Sequence, residues 1–379
     1  MLVPFRLLNS TVWLILFLFL GHGLLYYVFP QQHYLTGGGG VLQVVKYPLF
    51  LLIIVVVCSV TNLSRSGLLV VSFFYVLGLA SLVLGFSDEK LLIFLAYLFP
   101  IIVFLIPISH IKNNRFYMAG GLIYLCFSLL VVNFFGALYE FFFGPVFDSY
   151  SRSSFRAVGI FVNPNNSAIF VVILFSVLAA LCKSYSVVII SFFLTFLSLL
   201  LLGSKTGFVV FFVAILLFYP LIVITFSLLL AAFFVLFPFD FSKSIFDTLR
   251  SPFDMESGFH RLTDWRDFLD YLASLSFKEI LLSGKEVFLI DNSYMDLLAN
   301  FGAIVLFAHL VMQFISIVMS LFCGRLAVVL SLIFFISMLS TNIHRLWPLS
   351  YVFWLLVSWN FYSFSSNYLL VNKVRKSDV

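Results

Sequence analysis

The chain has 379 residues, a formal net charge of +5, 63% hydrophobic residues and only 10% charged ones. That balance excludes an ordinary soluble domain, and basic residues scattered over loops do not describe a nucleic-acid surface. Ten of the 16 acids fall between positions 238 and 292, and the rest of the chain is dominated by apolar runs long enough to cross a bilayer, about 20 residues each.

Backbone polar groups in lipid must pair internally, so these runs predict helices. A β-barrel would need alternating segments of about ten residues, and runs such as 49–60 and 208–237 do not alternate. The first run, 11–29, is of full spanning length with no small-residue cleavage site after it, so it reads as a transmembrane helix rather than a removed signal peptide. About twelve spans follow in order: 11–29, 47–61, 67–86, 91–109, 118–139, 164–182, 185–202, 206–219, 221–237, 293–322, 326–340 and 347–363. The predicted organisation is nine helices over 1–237, a large loop with an amphipathic helix over 238–292, and three helices with a tail over 293–379. Four glycines at 37–40 make a flexible connection, and the four cysteines lie in or beside apolar runs, so no disulfide staples the large loop.

Charge sets the expected orientation. With the N-terminus in the cytoplasm, Arg6, Arg65, Lys112, Arg115, Lys183, Arg325, Lys373, Arg375 and Lys376 share the cytoplasmic face with one acid, Asp378. The other 15 acids are then outside, with the 238–292 loop, and both termini are cytoplasmic.

Three stretches could carry chemistry. In 156–167, Asn163 precedes Pro164 and a long apolar run, the signature of a capped helix start. Its first-turn N–H groups and partial positive charge would favour an anion, phosphate above all, with Arg156 upstream and Asn165 in the first turn. The plainer alternative is a well-capped helix with a snorkelling Arg156.

In 259–275, helical spacing puts Leu262, Trp265, Phe268, Leu269 and Leu272 on one face and Asp264, Asp267 and Asp270 on the other. This reads as an amphipathic helix on the membrane or on the bundle. Arg261 falls inside the apolar face and Arg266 at its edge, and a cation pointing the buried way needs a carboxylate or phosphate partner. An internal salt bridge would serve equally.

In 291–300, Asn292, Asp296 and Asn300 share a helix face at i, i+4 and i+8, as polar groups lining a cavity or the bundle interior do. Asp291 at the mouth is the expected proton acceptor, with helix capping as the alternative. Lys205, Glu140, His260, His344 and Arg345 face the same side, each more often an anchor than a site residue. No metal-ligand spacing, nucleophile elbow or dinucleotide fingerprint occurs, so neither metal nor cofactor is expected.

Arg156, Gly159, Asn163-Pro164-Asn165, then Ser204-Lys205, Arg261-x-x-x-Trp265, and Asn292 with Gly302 downstream resemble the O-antigen polymerase and ligase superfamily. The resemblance covers roughly 150–305; the first five spans match in hydropathy alone. It implies a GT-C-like, all-α polytopic protein of the bacterial inner membrane, with about twelve spans and one large periplasmic loop. It also implies metal-independent glycosyl transfer from an undecaprenyl-diphosphate-linked oligosaccharide, with Arg156 and Arg261 on the diphosphate. Lys205, Arg266, Asn163, Asn165, Asn292, Asp296 and Arg345 are then substrate-binding candidates, and Asp291 the base. Membrane lipid and a chain-length regulator protein are the expected partners. Asp291-Asn292 stands where ligases show His before Asn or Ser, which favours a polymerase over a ligase; Lys205 stands where the pattern commonly has Arg. A lipid-linked oligosaccharide flippase would show paired, interrupted helices in two repeated halves, which this sequence does not.

Overall fold

The computed structural model describes residues 5–21, 23–28, 46–60, 64–84, 88–105, 115–144, 157–161, 163–221, 256–282 and 290–377. These are almost entirely helical, with no strand among them. In order they form α1 (Phe5–Leu20), α2 (Leu24–Val28), α3 (Lys46–Val60), α4 (Arg65–Leu84) and α5 (Asp88–Leu98), which runs into a 3-10 helix (Phe99–Leu105). Then come α6 (Arg115–Phe143), α7 (Pro164–Leu181), α8 (Tyr185–Leu202), α9 (Lys205–Phe218), α10 (Glu256–Ser274), α11 (Phe277–Leu282), α12 (Ser293–Cys323), α13 (Arg325–Met338) and α14 (Leu349–Ser377). Among the described residues five helices are long and apolar enough to cross a membrane: Arg65–Val83, Gly120–Phe143, Pro164–Leu181, Tyr185–Leu202 and Ser293–Cys323. Ile93–Leu105, Lys205–Phe218 and Arg325–Met338 are shorter apolar helices. The described residues are those of an α-helical, membrane-embedded protein. All but the first residue of the span predicted over 221–237 lies outside the described residues.

The chain divides into two compact units, one of Met1–Leu20, Val44–Leu122 and Arg261–Val379, the other of Gly21–Gln43 and Ile123–His260. In the second, α7 is buried along most of its length and packs against both α8 and α9. The face of α8 turned away from the unit carries Tyr185, Ile189, Ile190, Phe193 and Leu197, while Ser191, Thr195 and Ser198 are buried. This reverses the amphipathicity of a soluble helix. Apolar side chains meet lipid, and small hydroxyl residues let helices approach and hydrogen-bond. α8 ends at Gly203 in the left-handed region, and Ser204 caps α9 by accepting from Gly207 N. A Cβ on Gly207 would lie 2.6 Å from Ala168 Cβ and 2.7 Å from Leu199 Cδ2, so glycine sets the close approach of α9 to α7 and α8.

In the first unit, α12 packs against α4, α11, α13 and α14. The sequence predicts one crossing over 293–322; the structure breaks it. Gly302 stands at φ 83, ψ 171, outside the helical region. Tyr294 Oη donates to Gln313 Oε1 at 2.9 Å. On a straight helix these residues would be about 28 Å apart at 1.5 Å per residue. The short arm, 293–301, therefore folds back along the long arm, 303–323. The long arm alone is about 31 Å, one bilayer core.

Gln313 is about 15 Å along the axis from Cys323, so the start of the short arm returns to the middle of the long arm's length. α13 has 14 residues, about 21 Å, and stops short of a full crossing. Its end is at the same level, since Gln313 Nε2 reaches Met338 Sδ at 3.4 Å. The irregular stretch 339–348 follows there, and most of it is buried. Irregular backbone at membrane depth survives where protein covers it.

Candidate functional site

In the unit containing α6 to α9, the site candidate is the segment before α7. Asn163 is its N-cap, with Oδ1 accepting from Asn165 N at 2.9 Å and Asn166 N at 3.2 Å. Ser167 N donates to Asn163 O at 2.9 Å, and Pro164 has no N–H. The helix start is as predicted, but every first-turn N–H is used within the cap. The expectation that free N–H groups would take a phosphate is corrected; the helix dipole alone remains to favour an anion. Asn165 Oδ1 accepts from Ser204 Oγ at 2.9 Å, joining two of the motif residues.

Residues 157–161 are pinned from α6. Glu140, fully buried, accepts from Val158 N and Gly159 N through Oε2 and from Tyr27 Oη through Oε1. Asn133, two turns earlier on α6, accepts from Ile160 N at 3.1 Å, and Ser167 Oγ donates to Val158 O. Gly159 sits at φ 69, and a Cβ there would lie 2.5 Å from Asn133 Oδ1, so both backbone and space demand glycine. Glu140 is thus an acceptor for backbone donors, an anchor rather than a site base. Lys205 opens α9 directly after the Ser204 cap, half-buried. Arg156 lies outside the described residues.

In the other unit, the folded-back arm of α12 carries a second cluster. Asn292 caps it: Oδ1 accepts from Tyr294 N and Met295 N, and Nδ2 donates to Leu339 O at 2.9 Å. Ser293 Oγ donates to Thr341 O at 2.6 Å. These bonds tie the arm to the 339–348 stretch. Asp296, one turn on and fully buried, has Arg345 Nη2 at 2.9 Å from Oδ1 and His344 Nε2 at 2.8 Å from Oδ2. The Arg345 contact is a hydrogen bond; the His344 contact is close enough for a charge pair but not aligned for one. Asn300, also buried, donates to Asp296 O at 3.1 Å. Asn292, Asp296 and Asn300 all turn inward, as their spacing predicts.

A buried carboxylate is costly unless compensated, and breaking such a pair costs about 3–5 kcal/mol. Each polar atom left without a partner costs about 1–3 kcal/mol more. His344 Nδ1 and Arg345 Nε are in that state. Tyr97 stands edge-on to His344 at 5.7 Å between centroids, and its hydroxyl is 3.3 Å from His309 Nδ1.

α10 forms where predicted, but its buried stripe is narrower than the sequence suggests. Phe268 packs against Ile290 and Ala299, with Tyr271 and Leu272 beside it. Trp265 and Leu269 stay exposed, as do Asp267 and Asp270 on the polar side. Arg266 is exposed. Arg261 lies on α10, with its side chain outside what is described. Asp291 is exposed, one residue before the Asn292 cap. Among the described residues no group of three or more His, Cys, Asp or Glu could hold a metal ion.

Sequence reading underrates Asn133 and Glu140 and passes over Tyr97 and His309. Asn133 and Glu140 are polar residues seven apart in an apolar helix, a visible signal for a shared inward face. Tyr97 carries no such signal among so many aromatics. Comparison with protein-family models and with curated protein sequences finds no match for this chain.

Proposed function

We propose that the chain is an O-antigen polymerase of the bacterial inner membrane, with about twelve spans in a GT-C-like arrangement and the 238–292 loop in the periplasm. It transfers a growing glycan from undecaprenyl diphosphate to the terminal sugar hydroxyl of a lipid-linked repeat unit. The observation that carries this reading is the part the resembling residues play in the backbone. Asn163, Ser204 and Asn292 each cap a helix, and Gly159 and Gly302 each stand at positive φ. Residues that shape helix starts and sharp breaks are what a shared architecture would impose, and they occur here in the order of the superfamily pattern.

The buried Asp296–Arg345–His344 cluster supports a reactive site within the apolar bundle. A scaffold protein has no use for an ionised group that burial makes so costly. By the resemblance, Arg156 and Arg261 bind the donor diphosphate and stabilise the leaving group. Lys205, Arg266 and Arg345 add positive charge, and a base near Asn292 accepts the acceptor proton. A deletion strain tests the reading by its lipopolysaccharide banding. A single repeat unit on core supports the polymerase. Absence of O-antigen on core with lipid-linked polymer accumulating indicates a ligase, and unaltered banding removes both.

A further inference from the structure

We propose that His344, held beside Asp296, takes the proton of the acceptor hydroxyl; this deepens, and rests on, the glycosyl-transfer reading above. The first observation is geometric. His344 Nε2 lies 2.8 Å from the buried Asp296 carboxylate, and Nδ1 has no partner. An imidazole with one nitrogen beside a carboxylate and the other left for substrate is the arrangement a general base needs. The second is the sharing of Asp296. Its other oxygen is bound by Arg345, whose side chain is 15% exposed while Asp296 and His344 are sealed. The cluster therefore has one open edge, at the cation, where an anionic donor would arrive and bring its acceptor.

The third is architectural. The break at Gly302 places Asp296 next to the 339–348 stretch, and the Asn292–Leu339 and Ser293–Thr341 bonds, with that of Arg345 to Asp296, hold that stretch to the arm. Four groups face His344: Asp296 from the short arm, Arg345 from its own stretch, His309 from the long arm and Tyr97 from α5. Asp291, the base expected from sequence, is exposed and lacks the buried environment that tunes a base toward operating pH.

In the step, the acceptor O–H proton passes to His344 Nδ1 as the hydroxyl oxygen bonds to the donor's anomeric carbon. The bond from that carbon to the diphosphate oxygen breaks, and its electron pair leaves on undecaprenyl diphosphate. The imidazolium then returns its proton to solvent past Arg345.

The test uses the full-length protein in lipid nanodiscs, with undecaprenyl-diphosphate-linked oligosaccharide extracted from the deletion strain. Turnover is measured against pH. His344→Gln should lower kcat by about 10²–10⁴-fold with little change in donor KM, and should abolish the fall in kcat at acid pH. Lys278→Ala, an exposed cation outside the cluster, should stay within a few-fold of the parent. His344→Gln with near-parental kcat, or Asp291→Asn with the large loss instead, overturns the assignment. Should His344→Gln lose its helical circular dichroism, the parent's own pH profile decides. A kcat that holds level down to the most acid pH at which the parent keeps its helical circular dichroism means that no base is titrated in the step. A folded parent that makes no polymer from these substrates refutes the polymerase reading itself, and the assignment with it.

Discussion

Replacing Gly302 by alanine tests the folded-back arm through the sign of its effect. In a continuous helix, alanine would stabilise by about 1 kcal/mol relative to glycine. At φ 83, ψ 171 the opposite holds, because an L side chain there is strained by about 1–3 kcal/mol. The new Cβ would also lie 2.6 Å from Leu281 O and 2.7 Å from Leu282 C, and forcing a backbone shift adds about 1–3 kcal/mol. Gly302→Ala should therefore destabilise by roughly 2–6 kcal/mol. Gly120→Ala, on α6 with nothing within 4 Å of the added Cβ, should be neutral or slightly stabilising. Thermal unfolding of both variants in the same detergent reads the difference. A cysteine pair at 294 and 313 adds a geometric check: a short, flexible bis-thiol reagent should link it within one chain in the parent background and fail to do so in Gly302→Ala. A stabilised Gly302→Ala protein, or no cross-link in the parent, would refute the break and with it the route that brings Asp296 to His344.

Arg261→Ala should abolish polymer at near-normal protein level, and Arg261→Lys should fail too, since an ammonium cannot grip a diphosphate with two parallel bonds; full activity in Arg261→Ala removes it from the site. Polymer synthesis by purified protein should persist in excess EDTA, and loss on chelation with recovery on adding a divalent ion would overturn donor binding by arginine alone. A cysteine at 254 should react with an impermeant thiol reagent applied from the periplasm and one at 114 should not; reversed labelling inverts the topology.

Sequence alone determined what depends on neighbours along the chain. Asn163 before Pro164 marks a helix start because the cap is made within four residues, and the cap is there. The 292, 296 and 300 positions share a face because helix pitch is local, and all three are buried. Apolar runs declare membrane helices because lipid leaves the backbone no other way to satisfy itself. Tertiary structure decided the rest. Gly302 looks like any glycine in an apolar run; its break follows from packing against Leu281 and Leu282, distant contacts that periodicity does not encode. On α10 the helix was legible, but the choice of Phe268 over Trp265 and Leu269 for burial depends on where Ile290 and Ala299 stand. Glu140 reads as one more interfacial acid until the fold brings Val158 N and Gly159 N onto it. Asp296 lies nearly fifty residues before the adjacent His344 and Arg345, and the fold-back at Gly302 brings them into one group, because a side-chain contact between distant residues is set by the path of the backbone between them.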